Sequence, residues 1–315
     1  MRILRAFVLA TASCLISQAA LAQSPADGYP NKVIRIVVPW AAGGFTDVLA
    51  RLIADKMTKS MGQTVIVDNR PGASGAIGSK MVAQSPPDGY TLLLNTSDAT
   101  VKLLQDKTPD PAADFAPISL IGTQPVVVAV GKHVPVASFA EFVARAKAAP
   151  GKINFGSPGE GSAVHLGMEL LASAAGMELN HVPYKGMGPA LTDLLGGQID
   201  AVLVSFQGSA GNFKNGKLTP LAVSSLKRSA VDPSVPTIAE SGVQFELLLW
   251  YALIGPKGLP EPIVARLNSE LKAALTAPDL LERLTSAGTE PIGSSPQELQ
   301  RFVDAEVAKW KKAIK

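Results

Sequence analysis

The sequence predicts an α/β chain of two lobes, on three observations. Strand-like and helix-like segments alternate through almost the whole length, which implies parallel sheets with covered faces. Beyond its first 22 residues the chain keeps roughly 290, more than one common domain holds. Two separate stretches, at Gly43-Gly44 and at Gly156 to Gly161, each run strand, glycine-rich loop, helix. No repeat at a fixed short period accompanies them.

The first residues stand apart from this pattern. Arg2 and Arg5 form a basic start, Ala6 to Ile16 is mostly apolar, and Ala20-Leu21-Ala22 is an A-x-A site before Gln23. That is the pattern of a cleaved secretory signal peptide over residues 1–22. The apolar run is too short to span a bilayer, and no later run is long enough. Cys14, the only cysteine, lies inside this segment; a lipid-attachment site wants a leucine-like residue three positions earlier, where Thr11 stands. The remaining chain has no cysteine, so its core and not disulfides must hold it together. Without Arg2 and Arg5 it carries 27 basic against 26 acidic residues, a near balance that argues against a nucleic-acid partner.

Val33 to Asp47, VIRIVVPWAAGGFTD, opens the first lobe. It reads as a buried strand, a tight loop and the start of an amphipathic helix marked by Val48, Leu49, Leu52, Ile53 and Met57. Gln63 to Val67 is the second strand, Gly75 to Gln84 a short helix and Tyr90 to Leu94 the third strand, after a turn at Pro86-Pro87-Asp88-Gly89. The second lobe starts with a buried strand over Val126 to Val130. Ser138 and Glu141 form a capping box for a helix over Phe139 to Ala148, ended by Pro150-Gly151. Ile153 to Phe155 is a strand, Ser162 to Ala175 a helix, His181 to Pro183 extended and Pro189 to Leu195 helical. Ala201 to Phe206 and Leu218 to Ser224 are strands. The tail returns to the first lobe with an extended Phe245 to Ile254. Helices follow over Pro262 to Leu275, Asp279 to Ala287 and Pro296 to Ile314, the last capped by Ser295 and Glu298.

The two glycine loops are the candidate binding elements. A strand–loop–helix junction leaves backbone N–H groups unpaired at the positive end of the helix dipole, which suits an anion. The first loop holds no basic residue, so backbone and hydroxyl groups would do the holding. A plain connection with Thr46 or Asp47 as cap is the alternative, but two adjacent glycines allow closer approach of a ligand than a cap needs. His165, in the first turn after the second loop, reads either as a site residue or as a neutral structural histidine.

Enzyme signatures are mostly absent. There is no G-x-S-x-G elbow, and no phosphate-binding glycine motif fits a strand–helix junction. His133, His165 and His181 lack metal-ligand spacing, so neither a metal nor a cofactor is expected. Asp47, Asp98 and Asp200 would have to pair to form an acidic site. A triad of distant Ser, His and Asp stays open as the mark of a hydrolase.

The residues carry a closer likeness. YPNKVIRIVVPWAAGG-TD, QTVIVDNRPGASGAIGSKMVAQSPPDGYTLL, DFAPISLIG, INFGSPGEGSAVHLGMELL, HVPYKGMGPALTDLLGGQIDAV and GKLTPLAVSSLKRS follow one another along the chain, and VPTIAESG and ARLNSEL continue the series. In these the chain resembles the substrate-binding proteins of tripartite tricarboxylate transporters, the Bug family, across essentially all of its length beyond the leader. The resemblance implies a periplasmic, two-lobe binding protein of the type II-like kind, monomeric, with its ligand in the interlobe cleft. One lobe would span residues 23–122 plus 226–315 and the other 123–225. It implies a receptor and not an enzyme. The receptor would deliver a di- or tricarboxylate or an aromatic acid to membrane transporter subunits or to a sensor kinase. An acidic amino acid receptor is the alternative ligand class, and a periplasmic hydrolase the alternative of another kind.

Carried over by position, the resemblance makes Ala42, Gly43, Gly44, Thr46 and Asp47 of the first loop and Ser157, Gly161, Ser162, Ala163 and His165 of the second ligand-binding. Tyr184 and Lys185 lie beside the cleft, Asp200 matches a Q-x-D segment, and Asn95, Thr96 and Ser97 end a strand that points at the cleft. The chain departs from the family after Leu94, where NTSDATVKLLQDKTPDPAADF is shorter than usual. It also has Phe45 where a small residue or proline is common, and Phe206-Gln207 where Asp-Asn is common. Phe45 suits an aromatic ligand ring; Asp47 and Asp98 suit an amino group.

Overall fold

The computed structural model describes residues 28–314, so the expected leader, with Cys14, lies outside the described residues. Two sheets organise the chain. The first begins with β1 (Ile34–Val38), α1 (Phe45–Met61), β2 (Val65–Asn69), α2 (Ala76–Ala83), β3 (Thr91–Thr96), α3 (Ser97–Asp106) and β4 (Phe115–Pro125). The second follows as β5 (Val127–Gly131), α4 (Phe139–Ala148), β6 (Asn154–Ser157), α5 (Ala163–Ala175), β7 (Asn180–Pro183), α6 (Met187–Leu195), β8 (Ala201–Val204), α7 (Phe206–Lys214) and β9 (Leu218–Val223). The chain returns with β10 (Leu248–Pro256), α8 (Glu261–Leu275), α9 (Pro278–Ser286), β11 (Glu290–Pro291) and α10 (Pro296–Ala313).

The sheets share one plan. The first is ordered β11-β4-β10-β3-β1-β2 and the second β7-β6-β8-β5-β9. In the first, β2, β1 and β3 run parallel, and β10 joins β3 antiparallel. In the second, β7, β6 and β8 run parallel, and β5 joins β8 antiparallel. Alternate residues of each strand feed opposite faces, as a period of two requires. Ile34, Ile36 and Val38 pack under α1 and α8, while Val37, Leu93 and Trp250 pack under α2 and α10. In the second lobe Val128, Val130 and Leu203 meet α4 and α5, and Ala129, Val202 and Val204 meet α6.

Most expected elements stand within a few residues of their expected bounds. Four were not expected: α3, β4, α7 and β11. Ser97 begins α3 and does not end the third strand, because the Thr96 hydroxyl caps the helix by accepting from Ala99 N. The strand expected to run to Phe206 stops at Val204, where Ser205 caps α7. Residues FQGSAGNFK have low helix propensity, which hid α7. Pro117 and Gly122 disguise β4, which pairs with β10 along its length. The Ser295–Glu298 capping box is complete; at α4 the Glu141 carboxylate reaches Ala137 N instead of the cap residue.

The chain leaves the first sheet at Pro125 and enters the second at Val127. The return lies later than the expected Ser225. Thr237 bridges to Val223, Ile238 and Leu247 pack in the second lobe's core, and Ser224 and Leu247 bond to each other. The crossing therefore falls between Leu247 and Leu248. The end of α10 crosses as well, since Trp310 is buried in the second lobe's core.

Candidate functional site

Four helices point their N-termini at the space between the lobes. α1, α3, α5 and α7 follow the carboxyl ends of β1, β3, β6 and β8. In each sheet these are the two parallel strands between which the strand order reverses, the place where open α/β sheets bind ligands. Two cavities lie there. One, of about 350 Å³, is lined by Phe45, Gln124, Val164, Ser205, Gln207 and Tyr251 among others. The other, of about 200 Å³, is lined by Trp40, Thr46, Thr96, Ser97, Asp98, Leu249 and Tyr251. Leu249 and Tyr251 line both. Residues alternate along the crossing strands: Gln124, Val126 and Leu249 face the larger cavity, whereas Thr123, Pro125 and Leu248 face a separate cavity. The crossing strands thus form the cleft's floor.

The first loop divides into two roles. Ala42, Gly43 and Gly44 are exposed, with Gly43 at φ +88°. Phe45 and Thr46 line the cavities, and the Phe45 ring meets Tyr251 edge-on at 5.2 Å. Asp47 turns the other way. Its buried carboxylate accepts from Gly43 N at 2.9 Å, Arg51 Nε at 3.0 Å and Asn69 Nδ2 at 3.0 Å. The Arg51 bond chiefly holds its pKa down at about 2, against the effect of burial. Asp47 therefore shapes the loop and lines neither cavity.

The second loop is bonded internally. Ser162 caps α5, its hydroxyl accepting from His165 N at 3.1 Å and donating to Gly159 O at 2.8 Å. Ser157 is fully buried, 2.7 Å from His181 Nε2. His165 accepts from Gly161 N through Nδ1, and its ring stacks on His181 at 3.7 Å. Gly161 sits at φ +72°, where any Cβ would collide with the Gln105 amide that donates to its carbonyl at 3.1 Å. Gln105 belongs to α3, so the first lobe holds this loop. Asp98, also on α3, accepts through Oδ1 from Ala163 N at 3.0 Å.

Of the expected site residues only Phe45, Thr46 and Ser97 line the cavities; three that stand outside the two loops also lie off them. Asp200 is at the amino end of β8, opposite to the cleft, where it takes Asn154 N at 2.7 Å and His133. Tyr184 donates to Asp193 at 2.7 Å. Asn95 is buried and donates to Thr100 at 2.9 Å. Ser97 does line the smaller cavity. Asp47, Asp98 and Asp200 do not come together. Trp40, Gln124, Leu249 and Tyr251 were not expected; only Tyr251 and Gln124, polar groups in otherwise apolar strand segments, left a trace that could have flagged them.

Two tests follow from this bonding. Ser162→Ala removes a cap, so it should cost about 1 kcal/mol of stability. Its effect on binding should come through helix α5 alone and stay smaller than a lost ligand contact. Urea unfolding and calorimetry on the same variant separate the two; a large affinity loss at unchanged stability would restore Ser162 as a direct contact. His181 has its pKa lowered to about 4, first by burial and then by the neighbouring His165. The unfolded chain therefore takes up the proton first as pH falls from about 6.5 to about 4, and stability drops across that window. The urea midpoint should fall between about pH 7 and about pH 5, with a flatter slope in His181→Gln. Parallel slopes in the two proteins would exclude His181 as the cause.

A catalytic reading of Ser157 and His181 lacks support. Ser157 is fully buried, and no carboxylate hydrogen-bonds His181 among the described residues. No cluster of metal-binding side chains occurs among them either.

Comparison with known proteins yields one consistent picture. The family model described as tripartite tricarboxylate transporter family receptor matches residues 49–315. Protein BugT of Bordetella pertussis is 36% identical, covering 96% of this chain and 95% of its own. A Rhodopseudomonas palustris protein solved with adipate is 37% identical at a TM-score of 0.77, over 90% of this chain and 97% of that one. MatC from Rhodopseudomonas palustris, with bound malate, is 32% identical at a TM-score of 0.77, over 91% and 100%.

Proposed function

Because the chain belongs to the tripartite tricarboxylate transporter receptor family, we propose that it captures a small carboxylate in the cleft between its lobes and hands it to a membrane transporter. It is a solute-binding protein and not an enzyme. The observation that carries the ligand class is the convergence of four helix N-termini on cavities that no cationic side chain among the described residues lines. Each N-terminus acts as roughly half a positive charge, so an anion is held by backbone dipoles instead of a salt bridge. The adipate and malate of the two solved relatives support a carboxylate of that size. Phe45, whose ring lines the larger cavity, supports an aromatic acid as well.

In this reading the ligand sits between Thr46 and Ser97 on one side and the start of α5 on the other. The lobes are residues 28–125 plus 248–314, and 127–247. The protein works as a monomer in the periplasm, exported by residues 1–22, and its partners are the transporter's membrane subunits. Calorimetry of the refolded protein against mono-, di-, tri- and amino carboxylates tests the proposal. Binding of at least one supports it; no heat from any at millimolar concentration would overturn it.

A further inference from the structure

Among the described residues, Asp98 is the only side chain with a formal charge on either cleft cavity. It stands on the first turn of α3. One carboxylate oxygen, Oδ1, accepts from Ala163 N, the first amide of α5 in the other lobe. Apart from Asp98's own backbone N–H, no donor from another described residue reaches the carboxylate, and no cation is paired with it among them. A charged acceptor that lines a cavity, with one oxygen free of other side chains, is placed to take a donor from a ligand there.

We propose that Asp98 selects the ligand by accepting a hydrogen bond from an ammonium group through Oδ2, while Oδ1 stays on Ala163. The receptor then takes an amino acid in preference to the plain carboxylate of the same skeleton. This rests on the reading of the cleft as a carboxylate site and narrows it. The carboxylate of the ligand meets the helix N-termini and its ammonium meets Asp98, so both charges are matched without a basic side chain. Burial also pushes the Asp98 carboxyl above the usual range, which a cationic partner would reverse. Because Asp98 already joins the lobes, the same residue links selection to closure.

The test uses matched pairs that differ by the amino group: glutamate and glutarate, aspartate and succinate, phenylalanine and 3-phenylpropanoate. Calorimetry on the wild-type protein should show one amino acid binding about 10- to 100-fold tighter than its partner, the range of a charge-assisted hydrogen bond. Asp98→Asn keeps an acceptor for Ala163 N and loses the charge. It should lose that preference and bind the plain dicarboxylate at least as well as wild type, with an unchanged melting curve to show that it folds. Equal affinity within every pair for wild type, or an unchanged ratio in Asp98→Asn, overturns the role of Asp98 while leaving the carboxylate receptor standing. No binding by any of the six, nor by the wider carboxylate series, overturns both.

Discussion

Glu306→Ala should unfold about 5–10 °C below wild type. Glu306 is buried on α10, and its Oε2 accepts from Trp250 Nε1 and Trp310 Nε1, each at 3.1 Å. Lys309 pairs with its other oxygen. Both indoles are fully buried. Trp250 belongs to β10 in the first sheet, whereas Trp310 packs in the second lobe's core. Alanine would leave two indole N–H groups without an acceptor, at about 3–5 kcal/mol in all. That is a large part of the 5–15 kcal/mol that typically holds a protein folded, taken here as an approximate range. Glu306→Gln keeps a carbonyl oxygen for both donors and forfeits only the ion pair, so it should cost about 1 kcal/mol. Scanning calorimetry of the two variants checks this; equal melting points would mean that the indoles find other acceptors.

Ala163→Pro should weaken ligand binding about 10- to 100-fold, because it deletes the amide that Asp98 accepts. The local backbone admits proline at this place, and its ring would displace the Asp98 carboxylate that now faces the amide. Ala163 is the first residue of α5, where the N–H has no partner within the helix. Ser162 before it lies at φ −68° and ψ 158°, the extended region that a following proline requires. The variant therefore cuts the bond between the lobes without breaking the helix. A ligand that touches both lobes shifts them toward closure, and moving that balance from 1:99 to 99:1 needs about 5.5 kcal/mol of preference. Losing one charge-assisted bond removes about 1.5–3 kcal/mol of it. X-ray scattering should show the wild type contracting fully at saturating ligand and Ala163→Pro contracting less. Ala163→Gly, which keeps the amide, should behave as wild type. Identical affinities and scattering for the proline variant would show that the Asp98 bond has no part in closure.

The class of fold, most of the elements and the family were all legible in the amino-acid sequence. The fold class and the elements rest on local facts, a period of two or 3.6 in apolar residues, glycines at strand ends and Ser295 three residues before Glu298, whereas the family rests on the resemblance of whole motifs. The sequence also placed Thr46, Phe45 and Ser97 where the cleft is, since residues just after a strand's carboxyl end face it whatever the rest of the chain does. Polar side chains were less legible. Asp47, Ser157, Ser162 and His165 stand in the expected loops, yet their hydrogen bonds are taken up by the loops themselves and by Arg51, Asn69 and His181 of neighbouring elements. A sequence shows that a group can bond but not what it has already bonded. Asp200 is the sharper case: one strand length separates the amino end of β8 from its carboxyl end, and only the sheet order says which end meets the cleft. Tertiary structure alone decided that β10 and β4 carry Tyr251, Leu249 and Gln124 into the floor of the cleft. It also brought Asp98 onto an amide 65 positions away. Both depend on pairings between distant segments, which no local pattern encodes, because the energy that selects them is the burial and bonding of surfaces that meet only in the folded chain.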